Sequence, residues 1–216
     1  MTIRAKQTLR LFFLPFVFIL LSIVSYGQKQ KEITAETVKK LYDSIPKVDG
    51  KYEYTEVVQL DTTYKKDVLY KNSKLFFADA FKSAKDVLQY DDRGEGKVIG
   101  KGNLSIEGGQ SVFLTYVTEK WTVNFSLEIF SKDGKYRYRI YDLNIDSRRV
   151  ASGGSSPDNV SNSDLSIDEA YKETEKGVTK KMNRKMFAEL IDRVSSTITQ
   201  IKTYMAKKQS SSNSDF

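Results

Sequence analysis

The residues that could do chemistry fall into a few short clusters, and each fails the spacing its chemistry demands. Residues 94–102 read GEGKVIGKG, a glycine-rich run with two lysines. A dinucleotide loop needs G-x-G-x-x-G, but Ile99 stands where the last glycine belongs, and the G-x-x-x-x-G-K-[ST] phosphate loop does not fit either. A hairpin turn with glycines on a sheet face is the reading. Ser44-Ile45-Pro46-Lys47 matches the S-x-x-K of serine acyl enzymes, yet Pro46 interrupts the helical turn that must bring lysine to serine. The partner motifs S-D-N and K-T-G are missing from the sequence as well. Asp142, Asn144 and Asp146 open like a calcium loop, but Ser147 and Gly153 replace its glycine and its bidentate glutamate. On a strand these three polar residues would instead share a solvent face. Asp91, Asp92 and Glu95 read as a turn.

Two zeros in the composition exclude more. With no cysteine there is no disulfide, thiolate nucleophile or zinc–sulfur site, and with no histidine there is no imidazole base or ligand. A carboxylate pair for glycoside hydrolysis is defined by a separation of about 5–9.5 Å in space, and none stands out among the 28 acidic residues. Lys180, Lys181, Arg184 and Lys185 form a basic cluster that reads as a solvated helix face. The sequence therefore offers no catalytic, cofactor-binding or metal-ligating residue, and no cofactor is expected.

The net charge of +7 suggests an anionic partner until its location is considered. Arg4, Lys6 and Arg10 precede a 14-residue apolar run at positions 11–24, and Ser25 and Gly27 place small residues before a cut at Gln28. That is the pattern of a secretory signal peptide over residues 1–27; Pro15 and the short run argue against a membrane-spanning helix. Without the three basic residues, 32 basic face 28 acidic side chains, an excess too small to imply nucleic acid.

Positioning elements follow from hydrophobic period. Residues 28–50 form a polar leader with one short helix carrying Val38, Leu41 and Ile45 and ending before Pro46. Residues 52–60 read as a strand and residues 65–84 as a helix capped from Asp61, Thr62 or Thr63. Residues 87–90 and 97–106 read as strands, with Gly100 and Gly102 leaving room for an aromatic ring from the helix. Residues 112–118 extend that strand or form another edge. Trp121, Val123, Phe125, Leu127 and Ile129 alternate with polar residues as a half-buried antiparallel strand does. Asp133-Gly134 then turns the chain. Residues 148–165 read as a flexible loop, Ser166 to Glu169 as a capping box opening a helix closed by Gly177, and residues 186–205 as a long amphipathic helix. The tail, 208–216, reads as disordered.

The central hairpin poses a register problem. Around Asp133-Gly134, paired residue numbers sum to 267, which sets Leu127 opposite Ile140 and Glu128 opposite Arg139. Continued unbroken, that register would bury Asp142 against Phe125, at high cost. One extra residue near 140–142 raises the sum to 268 and sets Val123 opposite Ile145. A β-bulge is therefore expected there.

Three segments carry a family resemblance: LYKNSKLFFADAF at 69–81, AKDVLQYDDRGEGKVIGKG at 84–102 and SKDGKYRYRIYDL at 131–143. Over about residues 52–143 the chain resembles the bacterial, exported domain of unknown function with a TBP-like fold. The resemblance implies an α+β domain with a curved antiparallel sheet and helices on one face, in the order β-α-β-β-β-β-α. The hydrophobic pattern places the core at 51–147 and C-terminal helices at 166–207, which should pack on the sheet because its apolar face needs a cover. It supplies no functional residues, and fold does not transfer function. The expected role is a non-enzymatic binding or assembly module of the periplasm or cell surface, working through the open sheet face or the 148–165 loop. A protein or glycan partner is expected, with no nucleic acid and no transmembrane segment after cleavage. The alternative is a carboxylate-dependent hydrolase of extracytoplasmic glycans. A TBP-like nucleic-acid saddle fits poorly, because the exposed parity offers Thr122, Asn124, Ser126, Glu128, Asp142 and Asn144 rather than basic residues and apolar wedges.

Overall fold

Strict alternation makes long strands here, and three of them carry the molecule. The structure, a computed structural model, describes residues 32–81, 87–153 and 158–208. The expected signal peptide at 1–27, the start of the leader, the last residues of the helix expected at 65–84 and the tail from 209 lie outside the described residues. From Ile33 onward the chain forms one compact unit. Its elements are α1 (Ala35–Asp43), β1 (Lys47–Val48), β2 (Lys51–Tyr52), β3 (Tyr54–Gln59), α2 (Lys66–Ala80), β4 (Leu88–Asp92), β5 (Lys97–Val112), β6 (Thr115–Lys132), β7 (Lys135–Ser152), β8 (Asn159–Leu165), α3 (Ile167–Glu173) and α4 (Lys180–Met205). Among the described residues no helix is long and apolar enough to cross a membrane.

The fold is α+β. A six-stranded antiparallel sheet has the order β3-β7-β6-β5-β4, and β8 also pairs with β7. Trp121, Val123, Leu127, Ile129, Tyr136 and Ile140 face the core, where α2 contributes Leu69, Phe76 and Phe77 and α4 contributes Phe187, Leu190 and Val194. Both expected glycine clearances are used by rings. A Cβ at Gly100 would lie 2.5 Å from Phe77 Cε1, and one at Gly102 would lie 2.5 Å from Phe81 and 2.6 Å from Phe125. Any side chain there would displace packed aromatics.

The expected bulge is present. Pairing between β6 and β7 sums to 267 from Lys132↔Lys135 to Ser126↔Tyr141 and to 268 from Asn124↔Asn144 onward. Asp142 supplies the extra residue in a left-handed conformation, φ 55°. Asp, like Asn, tolerates that region better than most side chains with a Cβ, and glycine better still. Asp142→Gly should therefore hold or raise the urea midpoint, whereas Asp142→Val should cost about 1–2 kcal/mol. Equal midpoints for the two variants would mean that φ at this position carries no strain.

Three expectations are corrected. Residues 148–165 are not a flexible loop: residues 148–152 complete β7, residues 159–165 form β8, and only 154–157 lie outside the described residues. Serine and glycine suggested a loop, but Val150↔Val160 and Ile145↔Leu165 pairing supplies ladder contacts that composition does not show. The strand order accordingly gains β8 before the C-terminal helices. The short helix expected in the leader is present as α1, but the leader is not only polar, because α1 is docked. Val38 is buried, the Tyr42 ring stacks on Tyr171 at 4.1 Å, and the Tyr42 hydroxyl donates to Asp168 Oδ1 at 2.7 Å. Finally, α2 is not capped by Asp61, Thr62 or Thr63. Asp61 Oδ1 accepts from Thr63 N, while the Lys66 N–H donates to Asp133 Oδ1 at 2.7 Å, a cap delivered by the β6–β7 turn.

Candidate binding face

The helices cover one face of the sheet, so the other parity of β5, β6 and β7 is left to meet a partner. Cross-strand pairing lays its residues out in rows. Lys101, Ser126 and Tyr141 form one row, Asn103, Asn124 and Asn144 the next, and Ser105, Thr122 and Asp146 the one after. Asn124 Nδ2 donates to Asp146 Oδ2 at 2.8 Å. A groove of about 540 Å³ runs between these rows, lined by Lys101, Asn103, Asn124, Ser126, Asn144 and Asp146 among others.

The bulge shapes the ground beside this groove. Along its outer edge β7 pairs with β3 as far as Ile140 and with β8 only from Ile145. Residues 141–144 lie in the gap between the two edge strands, and the bulge residue Asp142 lies among them. A second groove, about 390 Å³, opens there between Tyr52, Glu53, Arg139, Tyr141 and Leu143. Asp142 lines both grooves.

Toward the Asp133-Gly134 end the face becomes charged, and Lys97, Arg137 and Arg139 are occupied there. Arg139 grips buried Glu53 with Nε–Oε1 2.8 Å and Nη2–Oε2 2.7 Å, and its guanidinium lies 4.9 Å over the Tyr141 ring. The Arg139 hydrogen bonds hold the Glu53 carboxyl below its ordinary range against the upward pull of burial. Glu128, expected to be solvent-exposed opposite Arg139, is buried on this face instead. Its register partner is Arg139 as expected, but its ion pairs go to Arg137 at 2.7 Å and Lys97 at 3.3 Å. Burial pushes the Glu128 carboxyl up, and those two cations more than offset it, so it too ends below its ordinary range.

The other sequence clusters resolve into structure. Ser44 caps α1 and donates its hydroxyl to Leu41 O at 2.7 Å, while Lys47 reaches over the Tyr52 ring at 4.4 Å, so the two never converge on an acyl site. Residues 93–96 make the β4–β5 turn, with Gly96 at φ 77°. Asp92 Oδ1 accepts from Glu95 N, and Asp91 is held by Lys74 and Tyr70. Asn144 and Asp146 lie on the open face of β7, next to Asp142 at the bulge. Among the described residues no group of three or more acidic side chains is placed to hold a metal ion.

Residues 54–146 match the model of the family described as a domain of unknown function (DUF4468) with TBP-like fold. The resemblance drawn from the sequence is borne out. The DUF4468 match runs from the start of β3 into β7 and takes in the bulge and the whole lining of the first groove, whereas Tyr52 and Glu53 of the second groove precede it. A crystal structure of a DUF4468 family protein from Bacteroides ovatus superposes with a TM-score of 0.50 at 12% identity, covering 76% of this chain and 91% of that one. At that identity the likeness concerns the fold alone. A TBP-like protein from Parabacteroides distasonis gives a TM-score of 0.42 at 9% identity, covering 73% of this chain and 97% of that one. A search of the curated proteins found no match.

Sequence reasoning missed one polar cluster altogether. Glu119, on the core face of β6, accepts from Trp121 Nε1 at 2.8 Å, from Ser147 Oγ at 2.8 Å and from Arg149 Nε and Nη2 at 2.9 and 2.7 Å. The signal was available: extending the alternation of β6 back from Trp121 puts Glu119 on the buried parity. A carboxylate there demands partners.

Proposed function

We propose that this DUF4468-containing chain is an exported, non-enzymatic binding module of the periplasm or cell surface, and that it holds hydroxyl-rich glycans on the open sheet face. The observation that carries this is the Asn103–Asn124–Asn144 row, with Tyr141 in the adjoining row, over the groove at the bulge. Side-chain amides offer both donors and acceptors, which suits sugar hydroxyls, and an aromatic ring beside them offers an apolar face. The signal-peptide pattern at 1–27 supports export. Two carboxylates of this face support binding over hydrolysis: Glu53 and Glu128 are held below their ordinary range by their arginine and lysine partners, whereas a general acid for glycoside cleavage needs a carboxyl held above it. The engagement of Arg137 and Arg139 by buried glutamates disfavours phosphate, and with it nucleic acid.

The test is capture on an array of neutral and acidic glycans by the chain beginning at Gln28. The combined change Asn103→Ala, Asn124→Ala and Asn144→Ala should weaken capture by about tenfold or more. It should shift stability little, because surface substitutions of this kind stay near ±0.5 kcal/mol each. Unchanged capture would remove this face from the binding site. Release of reducing ends, lost in Asp142→Asn or Asp146→Asn, would establish the hydrolase instead.

A further inference from the structure

At the end of the sheet away from the Asp133-Gly134 turn, strands β5 and β6 pair as far as Val112↔Thr115 and leave Phe113-Leu114 as a two-residue turn. Such turns take Gly, Asn or Asp where φ is positive, yet Phe113 sits at φ 52°. Phe113 is 96% exposed and Leu114 is 94% exposed. Two large apolar side chains, one on a backbone conformation that disfavours it, thus occupy the outermost point of an 18-residue strand hairpin without contributing to the core.

The surroundings of this tip match it in kind. Tyr116 and Val160 are exposed at the same end of the sheet, and Leu114 O lies against Gly153. Gln110 Nε2 donates to Val178 O at 2.8 Å, which ties the exposed Val178 to this end, and Met182 and Met186 of α4 pack over Gly108. The first turns of α4 therefore lie beside the hairpin end and bring exposed Lys180 and Lys185 with them, with exposed Lys176 just before the helix. Acids at this end are engaged internally: Glu119 and Glu173 by Arg149, Glu175 by Arg184 and Glu107 by Lys120. Asp158, exposed just before β8, stands outside those pairs.

We propose that this tip is a docking point for an anionic lipid surface, with Phe113 and Leu114 entering the acyl boundary and the lysines at the start of α4 facing the headgroup phosphates. A convex tip of two side chains on a narrow ribbon does not need a preformed cavity, because a fluid interface closes around it. Basic residues beside it add attraction to anionic headgroups that decays within a Debye length. The Asn103–Asn124–Asn144 row lies about 30 Å away along the strands, so a docked tip leaves the candidate binding face open.

The experiment is co-sedimentation of the chain beginning at Gln28, which lacks the apolar run 11–24, with phosphatidylcholine vesicles prepared with and without phosphatidylglycerol. The wild type should partition onto the phosphatidylglycerol vesicles. Phe113→Gly with Leu114→Ser should weaken partitioning by about tenfold or more, while the melting temperature holds or rises because glycine suits the positive φ. Lys180→Glu with Lys185→Glu should weaken binding to the anionic vesicles by about fivefold or more per lysine and change binding to neutral vesicles little. The chain has no cysteine, so Leu114→Cys carrying an environment-sensitive dye reports the tip alone and should shift blue on vesicles. Wild type left in the supernatant, tip variants that bind like wild type, or a dye that does not shift would each overturn the proposal. So would self-association that depends on Phe113 and Leu114 without vesicle binding, which would assign the tip to a second copy.

Discussion

Leu190→Asp should destabilise the folded chain by about 3–5 kcal/mol, the range for a charge left buried without a partner. Leu190 lies on α4 and is 1% exposed, between Phe187 and Val194 on the stripe that closes the core face of the sheet. An aspartate there either loses its hydration or takes up a proton, and both routes favour the unfolded chain. Val194→Asp should behave alike, whereas Asp192→Ala on the exposed face of the same helix should stay within about 0.5 kcal/mol. Urea denaturation at neutral pH reads all three. A Leu190→Asp midpoint equal to that of wild type would mean that α4 stands away from the sheet in solution.

Glu119→Ala should cost about 3 kcal/mol, although the residue is a carboxylate in an otherwise apolar stretch. Glu119 is 3% exposed and accepts four hydrogen bonds. Its removal strands the buried Trp121 N–H and the Ser147 hydroxyl, and leaves Arg149 with only the longer 3.8 Å contact to Glu173. The remaining partners, not the lost one, set the cost. Glu119→Leu combined with Arg149→Met should therefore recover much of the loss, since matched apolar replacement of a buried ion pair is often neutral or better. A double-mutant cycle by thermal denaturation measures that coupling. Additive single effects would show that the cluster does not act as a unit.

Much of the fold was legible because its periods are local. The alternation from Trp121 to Ile129 assigns a buried face, and the stripe through Phe187, Leu190 and Val194 assigns a helix. An unbroken register would have buried Asp142 against Phe125, and that cost demanded the bulge that Asp142 supplies. The candidate face was half legible. Its exposed side chains could be named from parity, but Asn103, Asn124 and Asn144 form a row only once β5 pairs with β6, and β6 with β7, in one particular register.

The sequence by itself therefore determined which side of each strand meets the core, where the hairpin must slip by one residue, and which chemistries the absence of histidine and cysteine removes. Tertiary structure decided who meets whom. It placed β3 and β8 end to end along one edge of β7, turned residues 148–165 from an expected loop into paired strands, and brought Asp133 to cap α2 across 67 positions. It also gave Arg139 to Glu53 rather than to the Glu128 that faces it across the ladder. The reason is geometric. A period of two or of 3.6 residues is written in each segment and selects a face, but edge pairing, distant caps and ion-pair partners depend on which remote segments close on one another, and no local spacing records that choice.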